Sequence, residues 1–169
     1  RVMIDSISHL APTLAGENSR AAFMKFIVQL KAMGLTPILT AELTPDYGLA
    51  GLDAYLVDAV IQMEHVSREV GRPAERLIHI VKTRGQHHIG GLHPMEIGSR
   101  GIVVYPHAYP DPYEGDDGSG EGSGEENEAE NQGAAPLSTA VPGLDALLGG
   151  GYTPGSVILV AGMSGTFKS

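Results

Sequence analysis

Apolar positions fall along this chain in short unbroken runs and one helical stripe. "RVMID", residues 1–5, is an apolar run ending in an acid, which suits a buried strand. "NSRAAFMKFIVQLKAMG" follows, with Phe23, Phe26, Ile27, Leu30 and Met33 at helical spacing and Gly34 as the stop. "TPILTAEL" is a second apolar strand. Strand, helix, strand in this order predicts a parallel pair joined by a right-handed crossover. "VDAVIQMEHV" and "ERLIHIVKTR" then flank "SREVGRPA", whose Gly71, Arg72 and Pro73 predict a hairpin turn. A further strand, "GIVVYP", ends at Pro106. The pattern is that of an α/β parallel sheet continued by antiparallel strands.

The pattern then breaks. Residues 114–135 contain no Val, Ile, Leu, Phe, Met, Trp or Tyr, so they have no apolar surface to offset the entropy of ordering. This predicts a flexible, extended tether between Pro106 and Pro136. Beyond it, a short helix around Leu144 to Leu148, a triple-glycine turn and the strand "SVILVAG" are expected. The chain thus divides into residues 1–106, a linker over 107–135 and a short segment over 136–169.

Charge sharpens that division. The formal net charge is −9, but nine of the 20 acids lie between Asp111 and Glu130, where there is no Lys or Arg. The other 11 acids balance the 11 Lys and Arg, so the acidity belongs to the linker. A neutral ordered part and an acidic tether argue against nucleic acid as a partner. With no Cys, disulfides and thiolate metal sites are excluded, and cytoplasmic residence is expected. No apolar run approaches the length of a membrane span. The absence of an initiating Met and the stop directly after a loop motif suggest a fragment, incomplete at both ends.

Three stretches carry chemistry. The strand "SVILVAG" runs into "GMSGTFKS", which meets the phosphate-loop pattern G-x-x-x-x-G-K-[ST] except that Phe167 replaces the second glycine. Such a loop points backbone N–H groups at an anion, here across Gly162, Ser164, Gly165, Thr166 and Phe167. Lys168 would meet the phosphates and the Ser169 hydroxyl a Mg²⁺ ion. The bland alternative is a glycine turn with a chance Lys-Ser, and the preceding strand favours the loop. "RVMIDS" delivers Asp5 to a strand's carboxyl end, where it can hold a Mg²⁺-bound water or merely cap a turn. "KTRGQHHIGGLHP", residues 82–94, gathers Lys82, Arg84, His87, His88 and His93. With no carboxylate or thiolate at ligand spacing, these suit an anion better than a metal. A solvated basic loop is the alternative.

"RVMIDSISHL", "KTRGQHHIGGLHPMEIGSRGIVVYP" and "LSTAVPGLDALLGGGYTPGSVILVAGMSGT" resemble, in order and spacing, the KaiC-like branch of the RecA-superfamily ATPases. The resemblance covers nearly the whole chain apart from the tether. It implies a RecA-like, mostly parallel sheet with flanking helices and an antiparallel C-terminal extension. Residues 1–106 would then be the later half of one such domain, and 136–169 the start of a second, ending in its phosphate loop.

Members of this family form hexamers with nucleotide between subunits, so a homo-hexamer binding ATP and Mg²⁺ is implied. Lys82, Thr83, Arg84, Gln86 and His88, with Gly98 and Ser99 nearby, would reach a neighbour's nucleotide, Arg84 and Lys82 in catalytic roles. Asp5 would serve Mg²⁺ in its own subunit. Autophosphorylation on Ser or Thr and signalling partner proteins fit the same resemblance. Two other functions stay open: a DNA-dependent recombinase- or helicase-like ATPase, and a non-catalytic nucleotide-binding scaffold.

Overall fold

A computed structural model describes residues 1–7, 19–43, 54–66, 74–99, 101–107, 134–163 and 165–166. The expected turn at Gly71, Arg72 and Pro73 and most of the tether lie outside the described residues. The elements in chain order are β1 (Val2–Ile4), α1 (Ser19–Ala32), β2 (Pro37–Glu42), a 3-10 turn (Ala54–Leu56), β3 (Ala59–Val66) and β4 (Glu75–Thr83). They continue with β5 (Leu92–Gly98), β6 (Gly101–Val104), α2 (Pro142–Leu147) and β7 (Ile158–Gly162). The strands form one seven-stranded sheet in the order β1-β2-β7-β3-β4-β5-β6.

The first four strands in that order are mutually parallel, and β4, β5 and β6 continue them antiparallel. This is the RecA-like α/β sheet with its antiparallel extension. β1 and β2 are neighbours, as strand-helix-strand patterning requires. β7 lies between β2 and β3, aligned with both over residues 158–162. The strand at the head of the short C-terminal segment is therefore hydrogen-bonded into the middle of the same sheet.

Two layers cover the sheet. On one face Phe23 and Ile27 of α1 pack with Leu39, Ala41, Val60, Val157, Leu159 and Ala161. On the other, Leu144, Leu147 and Leu148 of α2 pack with Ile61, Ile78, Ile80, Met95, Ile158 and Val160. Alternate residues of β7 thus enter opposite cores, so all five of its residues are buried. That explains a run with no polar alternation.

Helix α1 ends in a Schellman turn. Gly34 adopts φ 69°, its N–H donates to the Lys31 carbonyl (2.9 Å), and the Leu35 N–H donates to the Leu30 carbonyl (3.3 Å). Met33, which the periodicity places on the apolar stripe, lies beyond the helix and is 71% exposed. The turn rotates it off the packed face.

β5 is the element that hydrophobic patterning misses. Residues 92–94 read as the end of a basic loop, yet Leu92, His93 and Pro94 begin a strand paired with β4. His93 is fully buried opposite Ile78 and accepts the His107 N–H on Nδ1 (3.0 Å). It therefore leaves the basic cluster. Burial, offset in part by the Ile89 and Gly90 backbone, holds its pKa below the ordinary histidine value, with His107 and His79 adding to the depression.

Candidate functional site

The predicted site residues separate onto opposite edges of the sheet. At the carboxyl edge of the parallel strands, Asp5 follows β1 and accepts a hydrogen bond from the buried Thr40 hydroxyl of β2. Gly162 ends β7 in register with Glu42 on one side and Met63 on the other. Its carbonyl accepts the Leu43 N–H (2.9 Å). A Cβ at Gly162 would stand 2.5 Å from Thr166 Oγ1 and 2.7 Å from the Met63 carbonyl oxygen, so only glycine lets the loop fold back here. Gly165, at φ 83°, makes that reversal, and the buried Thr166 hydroxyl donates to the Met163 carbonyl (2.8 Å). Ser164, Phe167, Lys168 and Ser169 lie outside the described residues.

At the opposite, amino edge sit Lys82, Thr83, Arg84, Gln86 and His88. β4 aligns Thr83 with Ala59 at the start of β3, four residues before the level of Gly162. At roughly 3.3 Å per residue this is about 13 Å along the strands, with two strand spacings to the side. A bulge sets the direction of the cations: Lys82 pairs with Val60 but Ile80 with Ile61, leaving Val81 as the extra residue. The slip moves Lys82 onto the α1 face, beside Asp58. Burial and the neighbouring Arg84 guanidinium hold the Lys82 ammonium below its ordinary pKa, and Asp58 pulls the other way.

Asp58 is a hub that sequence reading overlooks. One carboxylate oxygen takes both the Lys31 ammonium (2.6 Å) and the Val157 N–H (2.8 Å), while its carbonyl accepts the Arg84 N–H (2.9 Å). The only signal was an acid set between Val57 and Ala59 at the head of an apolar run. Arg84 is exposed, and its guanidinium donates to the Tyr55 carbonyl (2.6 Å). The Thr83 hydroxyl donates to the Gln86 carbonyl (2.7 Å) and lies 2.9 Å from His88 Nδ1. A hydroxyl has one proton to give, so Nδ1–H of His88 is the donor in that second contact.

Gln86 turns onto its own chain. Its amide nitrogen donates to the Leu148 and Gly151 carbonyls, the latter at 2.7 Å, and its amide oxygen accepts the Thr153 hydroxyl (2.6 Å). Both amide hydrogens are thereby engaged within the protomer. Gly98 and Ser99 do not lie near this cluster. β5 runs antiparallel to β4, which carries them to the other end of the extension, roughly 25 Å along the strands from Lys82. Gly98 instead borders a cleft of about 730 Å³ with Arg76, Tyr105 and His107. Among the described residues no group of three or more His, Asp or Glu could hold a metal ion.

A parallel sheet whose central strand leads into a glycine-gated loop, with an aspartate two strands away at the same edge, defines a RecA-like nucleotide-binding protein of the phosphate-loop class. The family model "ATPase: KaiC" matches residues 1–109, and the chain belongs to that family. It is 29% identical over its full length to the circadian clock oscillator protein KaiC of Prochlorococcus marinus (strain MIT 9313), of which it spans 31%. It is 34% identical, again over its full length, to the circadian clock protein KaiC2 of Synechocystis sp., of which it spans 27%. The chain thus spans about three-tenths of the length of these curated relatives. Among solved structures, a KaiC-like protein from Pyrococcus horikoshii superposes with a TM-score of 0.53 at 33% identity. That superposition covers 62% of this chain and 46% of the other. No described helix is long and apolar enough to cross a membrane.

Proposed function

We propose that this chain is part of a ring-forming ATPase in which each nucleotide lies between two protomers. At the site of the first unit, one protomer supplies Asp5, which would serve Mg²⁺, and the next supplies Arg84 and Lys82; the loop after β7 would bind ATP in the second unit. The observation that carries this reading is the placement of Lys82 and Arg84 on the sheet edge opposite Asp5 and Gly162. A single protomer cannot bring both sets to one phosphate. A head-to-tail neighbour can, and a closed ring such as a homo-hexamer repeats that contact.

The residues at the carboxyl edge suit Mg²⁺ and a polyphosphate: a loop start that excludes any Cβ, and an exposed aspartate oriented by Thr40. Magnesium would supply charge neutralisation between the phosphates. Arg84, held by Tyr55 and by its own backbone on Asp58, presents a cation whose charge stabilises a transferring phosphoryl group. Residues 1–106 and 136–169 are read as parts of two successive RecA-like units. Autophosphorylation and signalling partners belong to the same proposal.

Arg84→Ala in the full-length protein is expected to lower kcat by about 10³-fold or more, as for other cations supplied in trans, while ATP affinity changes by less than about fivefold. Equal losses in kcat and affinity, or no loss, would refute a role in trans.

A further inference from the structure

We infer that Lys31 is a positioning residue for the chemistry in trans: its ammonium occupies the Asp58 carboxylate and so keeps Asp58 from pairing with Lys82 and Arg84. This rests on the reading above, in which those two cations serve a neighbour's nucleotide. Lys31 touches no phosphate itself.

The register of β3 and β4 puts an acid beside both cations. Ala59 pairs with Thr83 and Val60 with Lys82, and the Arg84 N–H donates to the Asp58 carbonyl (2.9 Å). Asp58 therefore stands opposite Arg84 and diagonal to Lys82. On one face of an antiparallel pair, opposite Cβ atoms are about 5 Å apart and diagonal ones about 7–8 Å, within reach of long side chains. Val60 packs into the core under α1, which assigns Asp58, Lys82 and Arg84 to that same face. A carboxylate left alone at this point would draw either cation onto itself. A lysine or arginine neutralised by its own protomer has little charge to offer a transferring phosphoryl group.

Lys31 prevents that capture. It is the basic residue in the last turn of α1, where the helix dipole favours a cation. Its Nζ lies 2.6 Å from Asp58 Oδ2. The Asp58 side chain is only 16% exposed, so its charge needs a partner, and α1 supplies one. Among the described residues, Asp58 forms its ion pair with Lys31 and not with Lys82 or Arg84. The Arg84 guanidinium turns instead to the Tyr55 carbonyl (2.6 Å). The Lys82 ammonium keeps a pKa below its ordinary value because burial and Arg84 outweigh the pull of Asp58. A direct pair with Asp58 would reverse that balance. Removing the Lys31 ammonium leaves the carboxylate facing Lys82 and Arg84.

Three variants of the full-length protein test this: Lys31→Met, Asp58→Asn and the two together. Each is assayed below its melting transition for ATPase rate, and for ATP affinity by calorimetric titration. Lys31→Met is expected to lower kcat about tenfold, less than the loss on removing Arg84, while ATP affinity changes by less than about fivefold. Asn keeps the shape of the Asp58 side chain without its charge. The double variant, with no carboxylate to capture the cations, is therefore expected to recover most of the lost rate. A Lys31→Met rate equal to wild type, or a double variant no faster than Lys31→Met, would overturn the inference. So would parallel losses of kcat and affinity, which mark structural damage. Arg84→Ala separates this inference from the reading beneath it. A lowered rate there beside an unaffected Lys31→Met leaves the role in trans standing and refutes that of Lys31. An Arg84→Ala rate equal to wild type refutes both.

Discussion

Val81 is the residue that β4 has in excess, and it decides where a charge points. Lys82 would share the α2 face with Ile80 in a regular strand; the bulge moves it to the other face, beside Asp58 and Arg84. Asp145 shows the same dependence on local contacts. Burial raises its pKa, but hydrogen bonds from the Ser138 hydroxyl (2.6 Å) and the Thr139 N–H (2.6 Å) outweigh burial, and Arg1 adds to the depression. The net pKa lies below the ordinary 3.8. A carboxyl whose folded pKa is lowered stabilises the fold above its unfolded value and loses that contribution as pH falls below it. Asp145→Asn is therefore expected to lower the urea midpoint at pH 6, and the gap from wild type should close as pH falls below about 4. A gap unchanged at pH 3 would exclude the carboxylate as its source.

At the scale of elements, α2 shows how closely a short helix can be set on a sheet. Gly143 faces β6, where an added Cβ would run into the backbone carbonyl of Val104. Backbone cannot move aside as a side-chain tip can. Gly143→Ala is expected to destabilise the fold by about 1–3 kcal/mol through overpacking, measured by urea denaturation. A change below about 0.5 kcal/mol would mean that α2 shifts outward freely.

α1, β1, β2, β3, β4, β6 and β7 each carry a stripe or run of apolar residues that has one physical use. β5 was not legible because His93 and Pro94 disguise a strand in which only His93 and Met95 are buried. A histidine there is neutral and takes its hydrogen bond from the His107 backbone, which no pattern in residues 92–98 announces.

At the scale of the molecule, the cations and the carboxyl edge of the parallel strands lie at opposite edges of the sheet, so the proposed hydrolysis requires contact between protomers. Mixing full-length Arg84→Ala with full-length Asp5→Asn, each of low activity, is expected to restore part of the ATPase rate. Some interfaces in mixed rings then pair an intact aspartate with an intact arginine. Mixtures no more active than their separate components would exclude this arrangement.

The sequence by itself determined the described elements other than β5, the concentration of acid in residues 111–130 and the chemical type of each candidate residue. Those follow from side-chain periodicity and charge, which are properties of near neighbours in the chain. Only the tertiary structure decided that β7 occupies the slot between β2 and β3, that Gln86 is bound to its own chain, and that Gly98 and Ser99 stand far from Lys82. Each of these depends on pairing between residues far apart in sequence, where register and burial, and not local preference, select the partner.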